Sequence, residues 1–439
     1  MENEDEMDQS DFNDNEPEST RQEKPGQLRR PFSLLLQENG GAGENSFPAF
    51  VNRSATPEAV PSKTSLPLVG QVARGIIKVV QVAQRFTGWR RFVWLAAGSV
   101  LLALASSALA KWDAENSGTK SSLRAVHNAS PGVAWAGGTN GVILRSEDDG
   151  YLWQQCAIPP GAENLDFRGV WGWNADHAIA MSSGPGSASR LYETTDGCAH
   201  WRSAFANPEP AGFWDAIAFW NQQQGMLLGD PVNGRFRIFK TSDGGRHWSR
   251  DESAGLEIDP GGESAFAASN SALVLGPDGM SAYFATGGTG GCRIFRFHPG
   301  VRGQPGSWTS AKLPLAHNAE SAGIFSLAFR DSKRGVAVGG DYKQPNQIEN
   351  TTAWTSDGGL TWAGASKPPS GYRSAVAWDR NSQAWIAVGP NGSDVSYDDG
   401  KTWRQFDRAS WNALSLPWVV GPDGRIAMLN RSALDKSLK

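Results

Sequence analysis

From about residue 121 onward the chain reads as short apolar runs punctuated by Gly, Asp and Ser, with the residue chemistry of β-strands. The runs "DFRGVWGW", "FWDAIAFW", "SAFAAS", "GIFSLAFR" and "YRSAVAWD" each open a unit and predict an inner strand. A second strand follows, as in "RGVAVGG" and "AWIAVGP". A third, such as "GRFRIFK", runs into a recurring turn, and a fourth, such as "WRQF", starts at the Trp that ends the turn.

The turn recurs as "RSEDDGYLW", "ETTDGCAHW", "KTSDGGRHW", "WTSDGGLTW" and "SYDDGKTW". All five fit Ser/Thr-x-Asp-x-Gly-x-x-Trp, with Cys198 in place of the glycine in the second copy. An Asp in such a turn accepts hydrogen bonds from backbone N–H groups just ahead of it. The Gly adopts positive φ at little cost, and the Trp offers a large surface to bury. We take Asp148, Asp196, Asp243, Asp357 and Asp398 as structural, because a motif that returns in every unit serves the unit.

These aspartates lie 48, 47, 114 and 41 residues apart. The long gap holds a unit with a decayed turn, "CRIFRFHPGVRGQPGSWTSAKL", which keeps a strand and Trp308. A period of ~40–50 residues with four short strands predicts the blades of an all-β propeller. Blades fall near 121–158, 164–205, 212–251, 262–314, 322–367 and 371–408. The remainder, "NALSLPWVVGPDGRIAMLN", has the early strands of a seventh blade. A segment ahead of residue 121 is expected to supply its outer strand and close the ring, which removes open sheet edges. Seven blades over 121–432 is the expectation, and six the alternative.

The front of the chain is different. Residues 1–73 hold 13 acidic and 6 basic residues with much Pro, Ser, Asn and Gln, and read as disordered. Residues 74–91 carry five basic residues and no acid. The stretch 92–110 then runs 19 residues without a charge, long enough to cross a bilayer. Basic residues before it predict a cytoplasmic N-terminus and an exported propeller. Two readings compete: a retained membrane anchor with the propeller in the periplasm, or a signal segment cleaved near Ala110.

Residues 111–439 carry 30 basic and 32 acidic residues, a balance that argues against a nucleic-acid surface. Cys156, Cys198 and Cys292 imply neither a disulfide framework nor a zinc site, although one pair is free to bridge in an oxidising compartment. The histidines show no metal-ligand spacing, so no metal and no cofactor is expected. "GKT" at Gly400 lacks the first glycine of a P-loop, "GGTGG" lacks the third glycine of a dinucleotide fingerprint, and no G-x-S-x-G exists. No catalytic residue is assigned.

The residues that depart from the repeat are the candidates for binding. In a propeller, the loop leading into the inner strand and the loop between strands two and three open on one face. Those loops carry Arg168, Trp214, Asp215, Asp230, Glu263, Asp341, Tyr342, Tyr372 and Arg373. They come from separate blades, so they can converge at the channel mouth. The plain alternative is that these charges are solvated or pair with one another.

The strings "DFRGVWGW", "FWDAIAFW", "GDPVNGRF", "GIFSLAFRDSKRGVAVGGDY", "GYRSAVAW" and "GPNGSDVSYDDGKTW" resemble bacterial propellers related to the photosystem II stability/assembly factor. The resemblance covers about 121–432. It implies a seven-bladed propeller that is exported and binds other proteins during assembly of a membrane complex, without catalysis. The alternative is a glycan-binding protein or a sialidase-like glycoside hydrolase, since sialidases share the turn motif. Against it, the Phe/Tyr-Arg-Ile-Pro string of sialidases is missing: "FRIF" has Phe239 where Pro belongs.

Overall fold

The computed structural model describes residues 111–434, apart from 277, 301–303, 317 and 318. The acidic segment, the basic flank and the apolar stretch 92–110 therefore lie outside the described residues. Among those described, no helix is long and apolar enough to cross a membrane.

The described chain is all-β, with seven four-stranded antiparallel sheets. Their first strands are Leu123–Ser130, Phe167–Gly172, Trp214–Phe219, Leu273–Leu275, Ala322–Phe329, Ala375–Asp379 and Ala413–Ser415. These strands pack against one another around a central channel. The third blade shows the common pattern: Trp214–Phe219, Gly225–Val232, Arg235–Thr241 and Ser249–Arg250, each hydrogen-bonded to the next. The seventh blade is composite. Its outer strand is Trp112–Glu115, which pairs with Ile426–Leu429 in the register Trp112 to Leu429 and Glu115 to Ile426. The first and last described strands thus meet in one sheet, as the ring requires.

Side chains alternate across each strand, so every sheet is apolar on both faces. The result is seven apolar clusters, one in each gap between neighbouring blades. The turn tryptophans enter these gaps: Trp153 packs edge-on against Trp418 of the seventh blade, and Trp201 against Trp135 of the first. Gly150 shows why the motif needs glycine. Its φ is +85°, and an added Cβ would lie 2.0 Å from the Trp418 ring. Cys198 holds the same left-handed conformation, with φ +67°, and forms a disulfide to Cys156 that ties the second blade to the first. Cys292 is a buried free thiol.

In each of the five turns the Ser or Thr hydroxyl donates to the Asp, and the Asp accepts from backbone N–H groups three or four residues on. Asp243 accepts from Thr241 Oγ1 at 2.9 Å, Arg246 N at 3.1 Å and His247 N at 3.0 Å. Asp148, Asp196, Asp357 and Asp398 are bound in the same way, through Leu152, His200, Thr361 and Thr402.

The fourth blade corrects one expectation. "SAFAAS" is not its inner strand; that strand is Leu273–Leu275, paired with Ala282–Phe284. Ser264 bridges Gly287 in the line of the same strand, and residues 265–272 leave the register between the two pairings. The excursion enters the channel. Arg168 of the second blade donates to Ala267 O at 3.0 Å. Asn270 exchanges hydrogen bonds with Ile217 N and O of the third blade, at 2.8 and 3.1 Å. Ser271 Oγ donates to Ser326 Oγ of the fifth, and Ser269 Oγ to Ser374 O of the sixth, both at 2.7 Å. Small and polar residues suit this path, because each backbone group there needs a partner outside a ladder.

Candidate functional site

With the channel filled, its mouth becomes a pit of about 530 Å³, and every blade contributes to the wall. Arg124 comes from the first blade and Arg168 from the second; Phe213, Asp215 and Asp230 come from the third. Residues 265–268 come from the fourth, Phe325 and Tyr342 from the fifth, Tyr372 from the sixth, and Trp411 from the seventh. The five turn motifs lie at the opposite face, between strands three and four of their blades.

The candidates from the sequence divide. Arg168, Asp215, Asp230, Tyr342 and Tyr372 meet in the pit. Trp214 does not: it is 1% exposed and stacks on Phe205 in the core between the second and third blades. Arg373 is fully buried and bound to Asp394, with Nε–Oδ2 at 2.8 Å and a second bond from its Nη2. Glu263 is held by Arg293 and Thr286 within its own blade and faces a neighbouring cavity. Asp341 accepts from Lys343 N at 2.8 Å and Gln344 Nε2 at 3.1 Å, which fixes the turn after its strand.

Arg124 is the charged residue of the pit that was not among the candidates from the sequence. It occupies in "LRAV" the place of Arg168 in "FRGV", each at the register shift of its inner strand, so a blade-by-blade alignment of inner strands carries the signal. Arg168 is engaged, with Nε and Nη2 on Asp166 Oδ2 at 2.9 and 2.7 Å. Arg124 Nε is buried without a hydrogen-bond partner among the described residues. Burial and the neighbouring Arg168 both lower its pKa.

The carboxyl groups of the pit stand in the opposite balance. Burial, and then the charge of Asp230, pushes Asp215 well above the usual carboxylate range, and Arg168 only partly offsets this. Asp215 is 1% exposed and its Oδ2 has no hydrogen-bond partner among the described residues. Burial raises Asp230 to about 6, against one hydrogen bond from Ala265 N at 2.9 Å. The aromatic side is continuous: Phe266 stacks on Phe325 at 4.0 Å, and Tyr372 meets Phe325 edge-on at 4.8 Å. Tyr342 is 49% exposed at the rim. No metal-holding group occurs among the described residues.

An all-β ring of seven blades, with a pit built jointly by all of them, defines a propeller scaffold with an axial site. Among solved structures, YCF48 from Cyanidioschyzon merolae matches over 74% of this chain and 100% of its own, with 18% identity and a TM-score of 0.52. A structure of YCF48 bound to D1 peptide matches over 73% and 97%, with 16% identity and a TM-score of 0.49. The GH74 xyloglucanase from Xanthomonas campestris matches over 62% and 47%, with 19% identity and a TM-score of 0.33. The chain therefore has the fold of YCF48, the photosystem II assembly factor, as the blade strings led us to expect. No protein-family profile and no curated protein matches it.

Proposed function

We propose that this protein is a non-catalytic binding scaffold, exported or membrane-anchored, that holds a protein partner at the pit. The observation that carries this reading is the convergence of all seven blades on one concave site that joins exposed and buried aromatic rings to unpaired charge. Such a mixture is typical of protein-binding hot spots. The fold likeness supplies the scaffold alone; the reading of partner binding rests on the pit and on the resemblance of the blade strings to assembly factors. The disulfide between Cys156 and Cys198 supports export, since such bonds persist in oxidising compartments.

A sialidase-like activity needs free arginines to hold an acidic sugar. Three arginines that could serve are occupied: Arg168 by Asp166, Arg235 by Glu257 and Arg373 by Asp394. This weighs toward binding rather than hydrolysis. The test is recovery of partners from native membranes with the full chain, comparing Arg124→Ala/Tyr342→Ala with Arg246→Ala on the opposite face. We expect the pit variant to lose the partner that wild type and Arg246→Ala recover. Equal recovery by both folded variants overturns the reading.

A further inference from the structure

The pit has an acidic corner whose carboxyl groups the fold leaves short of donors. Asp215 sits on the inner strand of the third blade, buried yet lining the cavity, with Oδ2 unpartnered among the described residues. Asp230, near the end of the next strand, faces the same cavity and, among the described residues, accepts one hydrogen bond, from Ala265 N. Beyond Asp230 lies a second cavity of about 480 Å³, which Asp230 and the exposed Glu320 both line. Carboxyl groups thus run from the buried Asp215 to the rim. The other charged or titratable groups around the corner are Arg168 with its partner Asp166 on the second blade, Arg124 on the first, Glu263 with its partner Arg293 on the fourth, and Tyr342 and Tyr372 on the fifth and sixth. Each nitrogen of Arg168 already donates to Asp166 or to Ala267 O, and among the described residues no hydrogen bond joins Arg168 to Asp215.

A buried carboxyl group without a donor keeps its proton in the empty state. The two raised pKa values agree with that arrangement. We propose that this corner receives a primary ammonium group of the protein partner, a lysine side chain or a free chain terminus, which displaces the proton held by Asp215 and Asp230. An ammonium offers three donors and no acceptor, which complements carboxyl oxygens lacking donors. The rings of Phe266, Phe325, Tyr342 and Tyr372 supply apolar surface for the stem that carries it. On binding, the ammonium enters with its three protons and the proton of the carboxyl pair leaves to water. No covalent bond changes.

The inference rests on the pit being the interaction site, so its test uses probes that need no partner. The full-length protein is titrated by calorimetry with N-acetyl-lysine amide (side-chain ammonium), glycinamide (terminal ammonium) and N-acetyl-norleucine amide (no charge). We expect one ammonium probe to bind about tenfold or more tightly than the norleucine probe, and the stronger of the two identifies the source. Its affinity falls about tenfold per pH unit for each proton displaced, so it falls with pH wherever Asp215 holds its proton and more steeply below about 6, where Asp230 is protonated as well. Asp215→Asn and Asp230→Asn, each checked for a native melt, reduce it to the level of the norleucine probe. Equal binding of all three probes, or ammonium binding that survives Asp215→Asn, overturns the proposal. If Arg124→Ala/Tyr342→Ala loses the membrane partner while Asp215→Asn retains it, the pit remains the site and the ammonium inference alone falls.

Discussion

At the turns on one face of the ring, Asp196, Asp243 and Asp357 are held down at about 2. At the mouth on the other face, Asp230 stands at about 6 and Asp215 is also raised. Burial pushes Asp243 and Asp357 upward too, but hydrogen bonds from His247 and Thr241, or from Thr361, Thr355 and Leu360, outweigh it. At Asp196 the His200 backbone and ring come first. The side chain is the same at both faces; the difference is how many donors the neighbouring side chains and backbone supply. A carboxylate with its own donors is committed to the scaffold, whereas one without them is left for something else.

The comparison can be broken in four places. The largest effect is expected for Arg373→Ala, which leaves Asp394 as a buried charge without its guanidinium and costs about 3–5 kcal/mol in denaturant unfolding. A loss of partner binding at unchanged stability would instead return Arg373 to the site. Next comes Asp243→Ala, which removes the turn's acceptor and costs about 1–3 kcal/mol. Partner recovery by the folded fraction should be unaffected, and its loss at an unshifted melting temperature would break the division between the faces. Asp215→Asn should act in the opposite direction, raising stability at neutral pH by about 1 kcal/mol, because it removes a carboxyl held without a donor. Destabilisation on that scale would show a partner we have not identified.

The smallest effect is a matter of pH. The stability that Asp243 contributes through its lowered pKa is present above the unfolded value of about 3.9 and is lost as pH falls through about 2. Asp230, raised, contributes stability that is complete below that same unfolded value and is lost as pH rises through about 6. Thermal melts should therefore show an acid limb that Asp243→Ala weakens and a shallow limb near pH 6 that Asp230→Asn flattens. A near-neutral limb unchanged in Asp230→Asn would reverse its assignment.

The ring was legible because its unit repeats. The turn motif places strands three and four of five blades, and the leftover C-terminal strands point to a seventh blade completed from upstream. The fourth blade misled because "SAFAAS" has strand chemistry, but it and the two residues after it hydrogen-bond with backbone and side-chain groups of four other blades, which no local pattern encodes. In the site, Asp215, Asp230, Arg168, Tyr342 and Tyr372 stood out as departures from the repeat next to inner strands. Arg373 and Glu263 stood out equally, but their partners Asp394 and Arg293 lie on the third strand of the same blade, 21 and 30 residues away. A sequence shows that a charge is unusual for its repeat; only the fold shows whether another charge answers it.

The seam in the seventh blade sets an order of events in time. Trp112–Glu115 is among the first described residues to be synthesised, and its partner strand Ile426–Leu429 among the last. Until that final strand emerges, the early one has an unpaired edge, and six finished sheets cannot become a ring. Closure over such a separation is entropically costly and slow. The newborn chain therefore waits as an open arc, and for that interval it is most exposed to proteases and to pairing with another copy.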